Sequence, residues 1–354
     1  MTAAGDFSAR LVVWHEQHGR HDLPWQRTRN PYRVWLSEIM LQQTQVAAVI
    51  PYYLRFLERF PNLATLAAAP VAEVMVLWSG LGYYARARNA HACARVVMQA
   101  YGGRFPPDAA LIAQLPGIGP STANAIAAFC FGIPAAILDG NVKRVLCRHF
   151  GLSGYPGEPS MTKELWRLAE SLLPPRAVGT YIQAQMDLGA TVCTRTKPRC
   201  DTCPLAKTCV ALRQGLVGQL PEGRPRKALP SRETRVLLLL DAGRVLLHCR
   251  PPSGIWGGLM SLPELPQEAQ PIAYAASVLG CAVDSFSALA PVRHNFTHFH
   301  LTLRPLLGRA RLLPRSAEPC GERWLSRDEL SAAALPAPIR KLLEAALQAP
   351  DSSR

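Results

Sequence analysis

The spacing of hydrophobic residues changes character near residue 212. Before this point, long stretches rich in alanine, leucine and arginine, such as 71–101 and 161–173, repeat their apolar residues with the period of a helix. After it, residues 236–240, a turn at 241–243 and residues 245–248 predict a β-hairpin, and residues 296–303 alternate like a half-buried strand. Residues 332–347 predict a closing helix broken by Pro336 and Pro338. The pattern therefore predicts a helical domain followed by a smaller α/β domain.

The segment between these two patterns predicts a linker. Residues 212–232 carry Gly, Pro and basic residues without a sustained apolar stripe, which is typical of exposed chain. We therefore place a helical domain at 1–211, a linker at 212–232 and a second domain at 233–348, and a chain of 354 residues agrees with two domains.

Composition and charge narrow the functional classes. The 49% hydrophobic content is ample for two cores. No apolar run approaches the roughly 18 residues that span a bilayer, and the N-terminus lacks a signal-peptide pattern, so we expect no membrane association and a cytoplasmic location. The formal net charge of +14 favours a polyanionic partner, although an unrelated basic enzyme could carry the same charge.

Four cysteines form a compact set in the spacing C-x6-C-x2-C-x5-C. Four thiolates need a compensating partner, either a structural zinc or an iron-sulfur cluster. The spacing leaves both open, but one tight pair flanked by single cysteines favours the cluster over zinc, which usually takes two short pairs. Six other cysteines are scattered along the chain, so four unrelated thiols are the alternative. The predicted ligands are Cys193, Cys200, Cys203 and Cys209.

Two short motifs carry features suited to DNA phosphates. In Leu-Pro-Gly-Ile-Gly (115–119), Gly117 and Gly119 allow a tight turn, and Ser121 begins an alanine-rich helix. Backbone N–H groups at a helix N-terminus bind phosphate oxygens without reading a base; the alternative is a plain turn between helices. The loop between Cys193 and Cys200 also carries three cations, at positions 195, 197 and 199, which suit phosphate docking or form an ordinary solvated charge run.

Two carboxylates are candidates for catalysis. Helical spacing places Glu38 on the apolar stripe of 34–41, and a carboxyl group buried there has a raised pKa, as a general acid needs. The alternative is a helix rotated so that Glu38 faces solvent or pairs with an arginine. Asp139 precedes a basic helix, where the residue type by itself favours an N-cap.

Several stretches of the chain resemble one family, the adenine DNA glycosylases of the MutY type within the helix-hairpin-helix glycosylase superfamily. The resemblance covers nearly the whole chain and also includes the cysteine set. Its other motifs are WLSEIMLQQTQV (35–46), GLGYYARARN (80–89), LPGIGPSTANAIAAF (115–129), LDGNVKRV (138–145), MDLGATVCT (186–194) and HNFTHFH (294–300).

The resemblance implies a fold, a cofactor and a reaction. The fold is mainly α, a six-helix barrel with a [4Fe-4S] cluster domain, followed by a smaller Nudix-like α/β domain. The reaction is excision of adenine from double-stranded DNA that contains an adenine:8-oxoguanine (or adenine:guanine) mispair. By resemblance, Glu38 protonates the adenine at N7, Asp139 stabilises the oxocarbenium-like sugar and assists water, and Asn141 supports Asp139. A monomer associated with a bacterial nucleoid is expected.

The same resemblance implies a set of DNA contacts. The adenine must be flipped out of the duplex, and residues that match the family's wedges would fill the gap. The pocket residues could also be ordinary packing, with only an edge towards the adenine. The resemblance assigns Gln43 and Tyr83 as wedges, Trp25, Leu41, Val46 and Gln183 to the adenine pocket, and Phe296, Thr297 and His298 to the 8-oxoguanine.

Three function classes follow. Ser121 stands where related bifunctional glycosylases carry a Schiff-base lysine, so a glycosylase that uses water is favoured over a glycosylase and lyase. A non-catalytic DNA-binding protein with a cluster is the third class, against which an acid on an apolar stripe argues. A working Nudix hydrolase needs a cluster of glutamates that binds metal. Residues 257–280 contain only two glutamates, Glu264 and Glu268, so nucleotide hydrolysis is not expected. Three histidines, His294, His298 and His300, raise the question of a second metal site. The alternation of residues 297–303 instead favours a half-buried strand, with His298 and His300 on one face.

Overall fold

A computed structural model describes residues 3–224, 228–313 and 321–348 of the chain. The chain divides into two compact units, Met1–Ala68 with Asn89–Arg226, and Ala69–Arg88 with Lys227–Arg354. The second unit thus includes a short helical segment from the first half of the chain. No helix among the described ranges has both the length and the apolar character needed to cross a membrane.

The first half of the chain is helical, as predicted. Two 3-10 turns, Cys200–Thr202 and Ala206–Thr208, separate the last two of its helices. The helices are α1 Ala3–His18, α2 Pro31–Leu41, α3 Val46–Arg59, α4 Leu63–Ala68, α5 Val71–Trp78, α6 Ala85–Tyr101, α7 Ala109–Ala113, α8 Pro120–Phe131, α9 Gly140–Phe150, α10 Pro159–Ser171, α11 Val178–Thr191 and α12 Val210–Arg213.

Local sequence signals explain where the helices of the site begin and end. Asn30 caps α2, since its Oδ1 accepts hydrogen bonds from the backbone N–H groups of Tyr32 and Arg33, and Pro31 occupies the first turn. The helices α8 and α9 end at Gly132 and Gly151, both in the left-handed conformation with φ of 68°. Glycine adopts this conformation without steric cost.

The helical core is continuous and holds α8, α9 and α11 together. The helix α11 packs against α1, α8 and α9, and α8 also packs against α2. Fully buried side chains such as Leu11, Val142, Leu146, Tyr181 and Leu188 fill the spaces between these helices. Each such side chain contributes roughly 1.5–3 kcal/mol of burial free energy. This packing gives the residues at the ends of α2, α8 and α9 fixed positions.

The second unit contains an eight-stranded sheet. Its central path runs β3-β2-β1-β7-β5; β4 pairs with β1, β6 with β7 and β8 with β2. The pair β1 and β7 is parallel, with Ser231 opposite His300, and the other pairs are antiparallel. The elements are β1 Ser231–Asp241, β2 Arg244–Cys249, β3 Met260–Ser261, β4 Glu264–Leu265, α13 Pro271–Ser277, β5 Cys281–Ala288, β6 Val292–Asn295, β7 His300–Leu312, β8 Glu322–Leu325, α14 Arg327–Ala332 and α15 Ala337–Gln348.

The predicted hairpin is confirmed, and two other predictions are wrong. The strands β1 and β2 meet at Ala242 and Gly243, whose φ angles of 46° and 78° form the turn. The strand expected over 296–303 begins only at His300, because residues 296–299 form the turn from β6 to β7. Pro336 and Pro338 do not break the closing helix, since α15 starts between them and a proline fits a first helical turn.

The segment expected to be an exposed linker is partly ordered in the structure. Leu220 is buried, and its carbonyl oxygen accepts a 2.8 Å hydrogen bond from Nε of buried Arg148. Further on, the Glu222 carboxylate accepts a 2.7 Å hydrogen bond from the Gly154 backbone N–H. Residues 212–224 therefore pack on the helical unit, and three residues of the segment, 225–227, lie outside the described ranges.

Candidate active site and metal centre

A cavity of about 510 Å³ opens in the helical unit. Trp25, Glu38 and Gln183, three of the predicted site residues, line it. Trp25 is a buried ring that packs edge-on against Tyr53 at 5.3 Å between ring centroids. The rest of the lining comes mainly from the loop before α2, the end of α8 and the start of α11, including His15, Arg20, His21, Arg29, Phe129 and Arg176. The cavity thus combines apolar side chains with one carboxyl group, two amides and several basic side chains.

Glu38 is half-buried in the wall of this cavity. Its neighbours on α2, Ser37 and Ile39, are buried, so the carboxyl group is held against the core. Burial, and to a smaller degree the nearby charge of Asp139, raise the pKa of Glu38 to about 7. The expectation that α2 turns this acid inwards rather than to solvent is therefore met. Near neutral pH the group can give up a proton.

Asp139 is the N-cap of α9, as its residue type alone indicated. Its Oδ1 accepts a 2.8 Å hydrogen bond from the Val142 backbone N–H, and its Oδ2 accepts one of 3.2 Å from the Asn141 side chain. Burial raises the pKa of Asp139, and these hydrogen bonds lower it, with a net rise above the ordinary value. Asp139 therefore caps α9 and also lies close enough to Glu38 for its charge to affect that group.

Asn141 is itself held by a second layer of hydrogen bonds. Arg144 Nη2 donates to Asn141 Oδ1 at 2.8 Å and to the Gly189 carbonyl oxygen at 2.7 Å. The same guanidinium donates through Nε to the Cys193 carbonyl oxygen at 2.8 Å. These contacts fix the orientation of the Asn141 amide. The sequence analysis did not single out Arg144, although it lies within the motif at 138–145.

Ser121 contacts the backbone beside Asp139, and the two hairpin glycines precede this serine in the chain. Ser121 Oγ accepts a 3.0 Å hydrogen bond from the backbone N–H of Leu138, the neighbour of Asp139. Gly117 has a φ of 76°, and a Cβ added there would lie 2.6 Å from Asn89 Cβ, so only glycine fits. Gly119 caps α8 with a φ of −90° and is exposed, with no atom within 4 Å of an added Cβ.

The structure does not place every predicted DNA contact in the cavity. Leu41 and Val46 are half-buried at the ends of α2 and α3, outside the described lining of the cavity. Gln43 lies in the turn between those helices, exposed and with a φ of 56°. Tyr83 belongs to the second unit, is 44% exposed and has a φ of 50°. Positive φ is uncommon for residues with side chains, and both proposed wedges have it.

A buried ion-pair network next to the cavity was missed by the sequence analysis. Asp187 on α11 is fully buried, and its carboxylate accepts hydrogen bonds from the Arg20 side chain and from the Arg20 backbone N–H. His15 Nε2 lies 3.3 Å from its Oδ2, and Gln183 Nε2 donates to its Oδ1 at 2.9 Å. The sequence signal for this network was Asp187, a charged residue on the apolar stretch of residues 181–188.

The four predicted cysteine ligands line one small cavity of about 30 Å³ together with Arg148. Burial, aided by the neighbouring thiols, raises the pKa of Cys203 to about 11, so four thiolates here require a compensating positive group. Arg148 Nη1 lies 3.4 Å from Cys193 Sγ, and its main chain accepts from Cys209 Sγ. The thiol set therefore fits a cluster, although no three metal-binding side chains among the described residues form a site for a single ion.

In the second unit, the predicted Phe296-Thr297-His298 segment forms an exposed turn. Phe296 stacks on buried Phe299, with ring centroids 4.6 Å apart and an interplanar angle of 14°, and its backbone N–H donates to the Phe299 carbonyl oxygen. Thr297 and His298 are exposed at the tip. The aromatic pair holds the turn in shape, so the hydroxyl and the imidazole point away from the core. The prediction that the three histidines lie on a strand is wrong at His298, which lies in this turn between β6 and β7.

Family models match both parts of the chain. Residues 36–171 match the HhH-GPD superfamily base excision DNA repair protein, and residues 235–345 match the NUDIX domain. A solved structure of a thermostable thymine-DNA glycosylase superposes with a TM-score of 0.55 at 32% identity, over 60% of this chain and 97% of that one.

Whole-chain relatives are more informative. An adenine DNA glycosylase of Buchnera aphidicola subsp. Acyrthosiphon pisum is 36% identical over 342 residues, which cover 96% of this chain and 97% of the relative. The Homo sapiens adenine DNA glycosylase is 34% identical over 95% of this chain and 73% of its own length.

The helical fold, its glycine hairpin and the carboxyl-lined cavity define a DNA glycosylase of the HhH-GPD superfamily, followed here by a Nudix-like domain. The similarity extends across both domains. The chain belongs to the adenine DNA glycosylase family.

Proposed function

We propose that this protein is a monofunctional DNA glycosylase that removes adenine mispaired with 8-oxoguanine, or with guanine, by hydrolysing the N-glycosidic bond. The observation that carries the proposal is Glu38, an acid with a pKa near 7 in the wall of a cavity, next to Asp139. Membership of the adenine DNA glycosylase family supports the choice of adenine. The duplex is the substrate, and the protein acts as a monomer in the bacterial cytoplasm at the nucleoid.

Glu38 acts as the general acid. It transfers its proton to N7 of the flipped adenine, and the electron pair of the breaking bond between N9 and C1′ of the sugar remains with the base. Adenine thus leaves as a neutral molecule rather than as an anion. The cavity wall keeps Glu38 protonated until the base arrives, because burial disfavours the charged carboxylate.

Asp139 acts on the sugar after the base departs. Its hydrogen bonds from Val142 and Asn141 favour its ionised form, and a negative charge stabilises the oxocarbenium-like sugar. Water then adds its oxygen to C1′ and gives a proton to Asp139. A protonated acid and an ionised partner divide the work in the same way in glycoside hydrolysis.

Ser121 supports water as the nucleophile. A lyase step needs an amine that forms a Schiff base with the sugar, and a hydroxyl group cannot supply it. The Ser121 hydroxyl also accepts a hydrogen bond from the backbone next to Asp139, so it supports that loop. Strand cleavage is therefore no part of the proposed activity.

The DNA contacts of the proposal come from exposed groups in both units. Gln43 and Tyr83 are assigned as wedges in the duplex, and the turn at Phe296, Thr297 and His298 is assigned to the 8-oxoguanine. Trp25 and Gln183 are assigned to the adenine pocket, with Leu41 and Val46 at its margin. The exposed hairpin with Gly117 and Gly119 supplies backbone groups for phosphate.

The cofactor of the proposal is a [4Fe-4S] cluster held by Cys193, Cys200, Cys203 and Cys209. Such a cluster supplies positive charge that compensates four thiolates. Three exposed cations, Arg195, Lys197 and Arg199, lie between the first two ligands. With both ends of their loop anchored, these side chains are positioned for DNA phosphates.

The domain limits of the proposal are 1–211, 212–232 and 233–348. The family matches at 36–171 and 235–345 fall inside the first and the last of these ranges. The packing of residues 212–224 on the helical unit extends that unit beyond residue 211.

A single-turnover assay tests the function. The substrate is a duplex with one adenine opposite 8-oxoguanine, and the products are analysed with and without alkali. Strand breaks only after alkali are expected, because hydrolysis leaves an intact strand with an abasic site. Breaks without alkali would indicate a lyase, and no product would indicate a binding protein. Glu38→Gln should abolish excision while duplex affinity is retained.

A further inference from the structure

The amide of Gln183 has a defined orientation in the cavity wall. Gln183 and Asp187 lie four residues apart on α11, and Gln183 Nε2 donates to Asp187 Oδ1 at 2.9 Å. The amide nitrogen is thus directed towards the buried aspartate. No described residue donates a hydrogen bond to Gln183 Oε1, which leaves this oxygen free as an acceptor.

Asp187 enforces this orientation because its carboxylate can only accept hydrogen bonds. It is fully buried, yet Arg20 contributes its backbone N–H at 2.8 Å, Nε at 2.8 Å and Nη2 at 2.5 Å. Burial would raise the pKa of Asp187, but the nearby His15 ring nitrogen and the hydrogen bonds from Arg20 lower it below its usual value. A Gln183 amide turned the other way would place two oxygens against each other in the core.

A fixed acceptor distinguishes purines by the group at C6. Adenine carries an amino group there, which donates; hypoxanthine carries a carbonyl, which accepts; unsubstituted purine offers neither. With hypoxanthine or purine, the buried acceptor has no hydrogen-bond donor to pair with. A site that relies on this hydrogen bond therefore disfavours both bases strongly. The orientation of Gln183 therefore favours a base with a donor at C6.

We propose that Asp187 is a positioning residue that sets base selectivity by holding the Gln183 amide with its oxygen towards the base. Asp187 is outside the described lining of the cavity and acts only through Gln183. The proposal rests on the proposed adenine glycosylase function and names the basis of its preference for a 6-amino purine.

The test compares duplexes that carry adenine, purine or hypoxanthine opposite 8-oxoguanine. The single-turnover rate constant of excision is measured for the unaltered protein and for Asp187→Asn. The neutral amide introduced by this substitution can donate as well as accept a hydrogen bond, so it lets the Gln183 amide turn. The ratio of adenine to hypoxanthine should fall by about tenfold in this variant. An equal loss on both bases would reduce Asp187 to a structural role and overturn the proposal.

Two further variants keep the test decisive. Arg20→Lys retains a positive partner and the ionised carboxylate, so it should lower thermal stability and lower the ratio less than Asp187→Asn does. Gln183→Leu should lower the ratio by itself, and adding Asp187→Asn to it should change nothing more, as expected when one residue acts through the other. If Asp187→Asn does not fold, an unchanged ratio in Gln183→Leu still refutes the proposal.

Failure of the proposed function gives a different result. If the unaltered protein releases no adenine from any duplex, the glycosylase proposal fails before selectivity can be measured. If it releases adenine and hypoxanthine at equal rates, the function stands and the role of Asp187 falls.

Discussion

Glu38 and Asp139 are both carboxyl groups, but they have different hydrogen-bond partners. Asp139 accepts hydrogen bonds from Val142 and Asn141, whereas no described residue donates one to the Glu38 carboxyl group. Hydrogen bonds to a carboxylate favour its charged form, and burial without them favours the neutral form. The hydrogen bonds offset part of the rise that burial causes in the pKa of Asp139, and the nearby charge of Asp139 adds to the burial that keeps Glu38 protonated.

The pKa of Glu38 predicts a pH-dependent stability. The unfolded value is 4.5 and the folded value about 7, so the folded state keeps a proton that the unfolded state loses between these pH values. Stability should fall as pH rises through this window, and the full cost applies above pH 7. Glu38→Gln should therefore raise the free energy of unfolding at pH 8 by on the order of 3 kcal/mol.

Urea unfolding at pH 8 and pH 4.5 checks this prediction. Near pH 4.5 the gain should largely vanish, because the two states then differ little in protonation. Glu58→Gln, on the exposed side of α3, is the matched control and should change stability little at either pH. A gain in Glu38→Gln that is equal at both pH values would contradict the assignment.

The same group should set the alkaline limb of the reaction. Excision needs Glu38 protonated, so the single-turnover rate should decline above about pH 7 and approach a tenfold loss per pH unit. Rates from pH 5 to 9 on the adenine:8-oxoguanine duplex test this, with duplex affinity measured in parallel to exclude loss of binding. A rate that stays level between pH 7 and 9 would argue against Glu38 as the acid.

At the scale of single elements, α9 combines a structural signal with a chemical one. The pattern Asp-Gly-Asn before a basic helix indicates an N-cap, and the structure confirms it at Asp139. A sequence pattern cannot show that the capping carboxylate also lies close to an acid on α2. That depends on the packing of α2 on α8, of α8 on α11 and of α11 on α9.

Two substitutions at Asp139 should separate capping from catalysis. Asn caps a helix about as well as Asp, so Asp139→Asn should fold with nearly unchanged stability but lose excision. Asp139→Ala should lose excision and also about 1 kcal/mol of stability. Thermal unfolding together with single-turnover kinetics measures both effects. Equal stability of the two variants would show that the cap contributes little here.

The strand predicted over 296–303 was wrong at residues 296–299, which form a turn. Apolar and polar residues alternate there as in a strand, but Phe296 and Phe299 stack on each other across a turn. Stacking between aromatic rings brings their backbones together, and alternation alone does not contain this information. The regular alternation of buried residues in β7 begins with Leu301.

At the scale of the whole molecule, the cysteine set and the net charge of +14 both bear on the proposed binding of DNA. Cys200→Ser should remove a cluster ligand and release the loop with Arg195, Lys197 and Arg199. We expect duplex affinity to fall by about tenfold or more, while the helical core, most of whose buried side chains lie outside residues 193–209, retains most of its helical signal.

Fluorescence anisotropy with a labelled duplex and far-UV circular dichroism measure these two quantities. Cys249→Ser, at an exposed cysteine outside the set, is the control and should leave both unchanged. Unchanged affinity in Cys200→Ser would refute the link between the cluster and the basic loop.

The sequence by itself determined the properties that depend on near neighbours. The period of apolar residues predicted the helical half and the sheet-forming half, and the residue type indicated the cap at Asp139. The cysteine spacing singled out four thiols that line one small cavity. Motif resemblance added the family, which the comparisons confirm.

Only the tertiary structure decided the properties that depend on distant residues. The pKa of Glu38 needs the burial around it and the charge of Asp139, and the orientation of Gln183 needs Asp187 held by Arg20, 167 residues away in sequence. Desolvation, charge interaction and hydrogen-bond geometry all act through space. Sequence patterns report the order of residues along the chain, and the site arises where packing brings remote parts of it together.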